Sequence, residues 1–564
     1  MTQHTSDHPF TSTGPTLLLD GRVIPTDQTL LDMFRGHVAN RGDVTALHFL
    51  GRDFSWRELD DSSNAFAAYL REVGVQPGDR IAVQLQNSPQ FLIATLAAWK
   101  LRAAIALVGP MYRVAETNNL LKISGATVFL TQIDNWAADG HVAIRDTQVR
   151  QVITSDFRDL ATAVPEYLQS PARLTNPTDA PDFLELLEAH RGATPPDSDG
   201  AQPEDLAIIA FTSGTTGPAK GTITRHRNLV HGVASWTSCY GIDHPSHVML
   251  SLAPFVHITG VVGNIGAWIW SGCKMVSQPR FAPLEALRLV EEQRVTWIVG
   301  AATVYTALLH GSTEQSFDTT SLVLLISGGA PIPATLEQRL QDAFGAELRP
   351  GYGMTETTTS ATLTFAGQRT RLHEESGVIS VGQPATGVSI RILGDDGELH
   401  GPGETGEVLV HGPNVIDGYW EQPEASAESV VDGWLHTGDV GFLDEDGWLY
   451  LVDRTKNMII ASGYKVWPRE VEEALYKFPN IREAAVIGVP DAYRGETVKA
   501  YVSLRDASVE LDVKAVEAHC RELLAAYKAP RIIEVVDELP KNPNGKIQHL
   551  ELRKRHADAQ AQAK

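Results

Sequence analysis

Cysteine is nearly missing from this sequence of 564 residues, which carries only Cys239, Cys273 and Cys520. Three scattered thiols cannot build a disulfide framework and lack the paired spacing of a zinc site, so a reducing cytoplasm is the expected location. Long apolar runs are lacking too. Phe91 to Val108 is interrupted by Lys100 and Arg102, and Ile258 to Trp270 is too short to cross a bilayer, so no membrane span is expected. The opening residues, Met1 to Thr13, have no basic stretch followed by an apolar core and do not read as a secretory signal. Positive charge is in deficit: 47 Lys and Arg face 69 Asp and Glu, for a net charge of −22. Such a surface repels nucleic-acid backbones and anionic membranes, so neither is an expected partner. An anionic ligand must then be held by local donors against the overall field.

What is present has the usage of an ordinary globular protein, with 43% apolar and 21% charged residues. The length exceeds what one hydrophobic core organises, which implies several packed lobes. Composition leaves the oligomeric state open, a homodimer being among the arrangements compatible with it. Ser55 and Glu58 have the spacing of a capping box, and Leu59, Phe66, Tyr69, Leu70 and Val73 follow at helical intervals. Gly74 and the turn Gln76 to Asp79 end that helix. The run Ile81 to Leu85 then reads as a buried strand and Leu92 to Leu101 as a second helix, the alternation of a doubly wound α/β sheet. Residues 192 to 205 are polar and turn-forming, and the strand Leu206 to Phe211 runs from them into a Thr/Ser/Gly loop.

Beyond residue 377 short alternating runs, Val388 to Leu393 and Glu407 to His411, are separated from others by Asp396-Gly397 and Asp446-Gly447 turns, which predicts β-hairpins. Past Arg454 the texture changes again. Pro468 suits a first helical turn, Glu470, Glu472 and Glu473 suit its positive end, and Val471, Ala474, Leu475 and Phe478 share one face. A smaller α+β lobe is therefore expected to begin near residue 456. The tail from Leu552 to Lys564 is polar or small and is expected to fray. No internal repeat is visible.

The loop Thr212-Ser213-Gly214-Thr215-Thr216-Gly217-Pro218-Ala219-Lys220-Gly221 follows a predicted strand, and its N–H and hydroxyl groups can turn onto a polyphosphate. On composition alone a flexible surface loop is the lesser alternative. It differs from the P-loop, because Ala219 precedes Lys220 and Gly221 follows it where that motif has Gly-Lys-Ser/Thr.

The loop resembles the phosphate-binding signature of the adenylate-forming (AMP-binding) superfamily of acyl-CoA synthetases, luciferases and adenylation domains. Further motifs match in the family's order: Pro254-Phe255-Val256-His257, Ser327-Gly328-Gly329-Ala330-Pro331, Gly351-Tyr352-Gly353-Met354-Thr355-Glu356, Gly433 to Asp439, Asp453 through Pro468, and Pro540 to Lys546. They cover most of the chain from residue 206 onward, whereas the first 200 residues resemble the family only loosely. The resemblance implies an α/β fold: a large N-terminal domain of doubly wound sheets plus a small β-rich subdomain, residues 1–455, followed by a mobile α+β C-terminal domain, residues 456–564.

It also implies roles, each with a chemical reason. Thr212, Ser213, Gly214, Thr215, Thr216 and Lys220 would hold ATP phosphates, with Thr355 donating to a phosphate oxygen. Glu356 would be the ligand of Mg2+, a cation that prefers hard oxygen donors. Tyr352 would lie against adenine, with Gly328, Gly329, Ala330 and Gly353 letting the purine approach the backbone. Asp439 and Arg454 would hold the ribose hydroxyls. Lys546 would be the catalytic lysine, bridging the attacking carboxylate and the nucleotide. Lys456 would be the hinge about which the small lobe turns and Gly463 would line a tunnel for coenzyme A. His257 would gate the carboxylate site, although a lone His is more often structural. The apolar residues after it, Val261 to Asn264 and Ala267-Trp268, suit an acyl pocket or a plain buried helix alike.

The expected enzyme is an ATP-dependent acid:CoA ligase forming an acyl-AMP and then a thioester, with a medium- or long-chain fatty acid as substrate. Aromatic or alicyclic acids, or a stand-alone adenylation enzyme loading a carrier protein, are the alternatives. A catalytically idle binding relative is disfavoured by the intact Glu356, Asp439, Arg454 and Lys546.

Overall fold

The computed structural model describes residues 16, 18, 21–169, 180–194, 200–212, 219–329, 332, 334–373, 378–454, 457–461, 464–491, 494–506, 508–541 and 547–562. Within them the expected capping box closes: Ser55 Oγ accepts from the Glu58 amide and the Glu58 carboxylate accepts from the Ser55 amide, opening the helix Trp56–Glu72. The next helix starts earlier than its apolar run, at Pro89, because proline at the first helical position needs no hydrogen-bond partner. Lys100 ends that helix fully buried, with its ammonium bonded to Asp60 Oδ1 at 2.6 Å, Ser63 Oγ at 2.7 Å and Asn64 Oδ1 at 2.6 Å. Burial lowers its pKa despite Asp60. A lysine inside an apolar run is thus accommodated by a complete set of acceptors.

Two mainly parallel sheets carry the large domain. One runs in the order Gln151–Ser155, Val128–Gln132, Arg80–Gln84, Ala104–Leu107, Leu206–Ile209, with Thr224–Arg225 antiparallel at its edge. The other holds Glu347–Tyr352, Leu324–Ser327, Trp297–Val299, Val248–Ser251, Lys274–Ser277 and Thr45–Phe49 in parallel, flanked by short antiparallel edges. Parallel strands covered on both faces need no polar side, which is why they read as unbroken apolar runs. One core joins these sheets. Trp56 and Trp268 stack in it with ring centroids 4.6 Å apart, and Trp99 and Trp236 are buried nearby. Each such side chain contributes about 1.5–3 kcal/mol of hydrophobic stabilisation.

The hairpin region forms a five-stranded sheet of Ser389–Leu393, Gly406–His411, Trp434–Leu443, Val430–Val431 and Leu449–Arg454. Its Asp-Gly turns carry Gly397 and Gly447 at φ 82° and 79°, the left-handed region that glycine enters freely. The smaller C-terminal domain has its own sheet, in which Ile481–Asp491 and Gly495–Leu504 are paired along their length. Its own core includes Val471, Leu475, Val486, Val502 and Cys520. The fold is therefore α/β with a large N-terminal and a smaller C-terminal domain. The expected helix start at Pro468 is present, and Arg469 in its first turn donates to the Leu451 carbonyl at 2.9 Å.

The tail departs from expectation. Residues His549–Gln562 form a helix, anchored by Leu552, which is fully buried beside Val489, Tyr501 and Leu539. The segment has no apolar periodicity, yet Ala, Arg, Lys, Glu and Gln are strong helix formers and one buried leucine is enough to dock them. Among the described residues no helix is long and apolar enough to cross a membrane.

Candidate active site

Parallel strands deliver their C-terminal ends to one edge, and the crevice outside that edge is where α/β sheets bind ligands. Leu324–Ser327 and Glu347–Tyr352 are neighbours there, in register at Ser327 and Pro350. Gly328 passes so close to the adjacent strand that a Cβ would sit 2.7 Å from the Gly351 carbonyl oxygen. Gly329, at φ 76°, has open space where a side chain would be. Gly353 is more constrained. A Cβ on it would fall 1.3 Å from the Thr359 carbonyl oxygen, so no other residue closes this turn.

The Tyr352 hydroxyl donates to Asp439 Oδ2 at 2.7 Å. Asp439 lies on Trp434–Leu443, where its amide donates to Thr437 Oγ1 at 3.1 Å and its backbone is in register with Arg454 across the hairpin. Both Tyr352 and Asp439 are less than a tenth exposed. A carboxylate in that setting holds its hydrogen bonds strongly.

After Gly353 the chain makes a tight turn, Thr355–Thr357, that carries Glu356. Thr358 and Thr359 follow at φ 46° and 81°, left-handed conformations that are unusual for β-branched residues. Side-chain hydrogen bonds hold them there. Thr358 Oγ1 donates to the Asn414 carbonyl at 2.7 Å, Thr359 Oγ1 donates to the Ile258 carbonyl at 3.0 Å, and Asn414 Nδ2 donates to the Thr357 carbonyl at 2.9 Å. Such strain costs on the order of 1–3 kcal/mol per residue and is characteristic of functional loops.

Glu356 is buried and accepts from the Tyr419 hydroxyl at 2.8 Å. Tyr419 was not among the residues expected from sequence. Its ring lies under Lys220, whose Nζ is 4.6 Å from the centroid. The backbone fixes this arrangement: Thr222 bridges Tyr419, the Ile223 amide donates to Gly418 O at 2.9 Å and the Trp420 amide to Gly221 O at 2.7 Å. Burial, reinforced by the Glu356 charge, holds the Tyr419 phenol far above its ordinary pKa, so it remains a donor.

The candidate phosphate loop is pinned at its base, where the Thr212 amide donates to the Lys220 carbonyl at 2.9 Å and Phe211 bridges Gly221. Ser213, Gly214, Thr215 and Thr216 lie outside the described residues, as do Ala330, Lys456, Gly463, Lys546 and the side chain of Arg454. Thr212, Lys220 and Thr355 are half-buried. Sequence therefore brings Tyr352 to Asp439, and Glu356 to Lys220 through Tyr419, from motifs far apart in the chain.

His257 precedes a helix that runs through Ile258–Gly260, widens to a π-turn at Val261–Gly266 and continues as Ala267–Ser271. Such π-turns occur often at functional sites. Asn87 fixes the turn before it, donating to Ala253 O at 2.9 Å and accepting from the Phe255 amide at 2.7 Å. Through Ile258, the Thr359 bond ties this segment to the Glu356 turn.

The donor set is suited to magnesium and a nucleotide. Among the described residues no three His, Cys, Asp or Glu side chains gather as a metal cage. A single buried carboxylate, Glu356, with Lys220 on the other side of Tyr419, instead fits a cation that keeps its waters and shares phosphate oxygens.

The AMP-binding enzyme model matches residues 34–420, and the AMP-binding enzyme C-terminal domain model matches residues 470–546. A long-chain-fatty-acid–CoA ligase of Bacillus subtilis (strain 168) is 33% identical over 540 residues, covering 92% of this chain and 93% of its own length. The crystal structure of an anthranilate CoA ligase in complex with anthranoyl-AMP is similar at TM-score 0.82 and 25% identity, covering 94% of this chain and 98% of that one. An o-succinylbenzoate coenzyme A synthetase from Bacillus subtilis, in complex with ATP and magnesium ion, is similar at TM-score 0.77 and 27% identity, over 94% and 99% of the two chains. With both family models matched and a relative of this identity aligned over almost the whole chain, the protein belongs to the AMP-binding enzyme family, alongside acid–CoA ligases.

Proposed function

We propose that the protein is an ATP-dependent ligase that joins a medium- or long-chain fatty acid to coenzyme A in the cytoplasm. The observation that carries this reading is the meeting of two side-chain constellations within five residues of one strand end: Tyr352 with Asp439, and Glu356 with Tyr419 and Lys220. Tyr352 faces adenine, and Asp439 with Arg454 receives the ribose hydroxyls. Gly328, Gly329, Ala330 and Gly353 give the purine room. Thr212, Ser213, Gly214, Thr215, Thr216, Lys220 and Thr355 bind phosphate oxygens. Glu356 would hold Mg2+, which supplies charge neutralisation as pyrophosphate leaves.

In the first half-reaction a carboxylate oxygen of the acid attacks the α-phosphorus of ATP, the bond to the β-phosphate breaks and acyl-AMP forms. Lys546 steadies the developing negative charge from the small domain, which begins at residue 456. In the second, the small domain turns about Lys456 and brings Gly463 to the pantetheine path. The thiolate of coenzyme A attacks the acyl carbon and AMP leaves. His257 gates the passage between acid and nucleotide.

The fatty-acid assignment is supported by the long-chain relative and by buried Val261 and Val262 on the segment after His257. Each buried methylene contributes about 0.8 kcal/mol, so an open apolar tunnel gains affinity with chain length until its end. Catalytic efficiency, measured as thioester formation, is expected to rise by roughly two orders of magnitude from acetate to octanoate, a span of six methylenes of which only part need be recovered. Preference for acetate, an amino acid or a dicarboxylate would refute the assignment. The similarity to an anthranilate ligase favours an aromatic acid as second reading, and a sharp optimum at benzoate would promote it.

A further inference from the structure

Tyr419 touches two oppositely charged groups, one at each of its ends. Its hydroxyl is bonded to Glu356 Oε1 at 2.8 Å while its ring face receives the Lys220 ammonium at 4.6 Å. The side chain cannot drift from this post. It is only 6% exposed, its amide donates to Ser426 Oγ at 2.8 Å, and its backbone forms a β-bridge with Thr222, just beyond the candidate phosphate loop. The Glu356 turn is tied to the same segment, since the Ile416 amide donates to the Glu356 carbonyl at 3.0 Å. One rigid element therefore references the acid, the cation and the base of the loop to each other.

We propose that Tyr419 is a positioning residue of the metal and phosphate site, fixing the rotation of the Glu356 carboxylate for Mg2+ and the place of Lys220 for a phosphate oxygen. This rests on the reading of Glu356 as the magnesium ligand. A hydrogen-bond donor on one oxygen of a carboxylate fixes the rotation of the whole group, the usual work of a residue behind a metal ligand. The aromatic face attracts an ammonium without neutralising it, so Lys220 stays available to an anion. A direct Lys–Glu ion pair would quench both functions.

The test is equilibrium binding of ATP, by calorimetry with no acid present, across a range of Mg2+ concentrations. Tyr419→Phe removes the hydroxyl and keeps the ring. Its Mg2+ midpoint is expected to rise about 10- to 100-fold, the cost of losing a group behind a metal ligand, with ATP binding in the absence of Mg2+ unchanged. Tyr419→Leu, which also loses the ring, should weaken ATP binding even without Mg2+. The decisive comparison is a double-mutant cycle: in a Glu356→Gln background, Tyr419→Phe should add little to the midpoint shift. A wild-type midpoint in Tyr419→Phe overturns the proposal. So does a shift of full size in the Glu356→Gln background, or equal weakening with and without Mg2+. If instead the wild-type protein binds ATP with no dependence on Mg2+, it is the metal role of Glu356 itself that fails.

Discussion

Glu356→Gln should reduce magnesium-dependent adenylation by roughly 100-fold, a loss on the order of 3 kcal/mol of transition-state stabilisation. The substitution is nearly isosteric, and the amide oxygen can still accept from the Tyr419 hydroxyl, so the turn at Thr355–Thr357 and the strained Thr358 and Thr359 should keep their places. What is lost is the charge. A neutral ligand binds a hard cation less tightly, and the negative charge accumulating on departing pyrophosphate is then less well balanced. Raising Mg2+ should restore part of the rate, and melting temperature should change little. Turnover and magnesium dependence equal to wild type would remove Glu356 from the metal site.

Lys546→Ala should suppress acyl-AMP formation by roughly 100- to 1000-fold, the scale for losing one preorganised charge at a developing anion. Conversion of supplied acyl-AMP and coenzyme A to thioester should be retained. Lys546 is outside the described residues, but the chain on either side of it is anchored to the small domain. Lys541 bridges Ile547, the Gln548 amide donates to Pro540 O at 2.8 Å, and Lys541 pairs with Glu483 at 2.7 Å. His549 reaches Glu472 at 3.2 Å. Under the proposed function the small domain closes for the first half-reaction and turns away for the second, so a lysine carried by it would serve only the first. Equal loss in both half-reactions would contradict this role, as would a variant that makes acyl-AMP at the normal rate.

The alternation of strands and helices was legible because each sheet is covered on both faces, so that its strands are apolar throughout and its helices carry ordinary caps such as Ser55 with Glu58. Turn chemistry was equally readable at Asp396-Gly397 and Asp446-Gly447. The tail helix was not, since one buried residue, Leu552, leaves no periodic stripe to detect. At the site, the motifs named Tyr352, Glu356 and Asp439, but not what joins them. Tyr419 meets Glu356 across 63 positions and Asn87 meets Phe255 across 168, distances over which no local pattern operates. The left-handed Thr358 and Thr359 were hidden for the opposite reason. Their conformation opposes local preference and is imposed by Asn414, Ile258 and the impossibility of any side chain at Gly353.

Transfer of an oxygen atom from acid to nucleotide tests the central claim most directly. The protein is incubated with ATP, Mg2+, coenzyme A and octanoate whose carboxylate carries isotopically labelled oxygen, and the products are weighed by mass spectrometry. Attack of the carboxylate on the α-phosphorus followed by thiolysis predicts that each octanoyl-CoA formed is matched by one AMP bearing a single labelled oxygen. Label in inorganic phosphate with release of ADP, or thioester accompanied by unlabelled AMP, would show that activation does not pass through an acyl-adenylate.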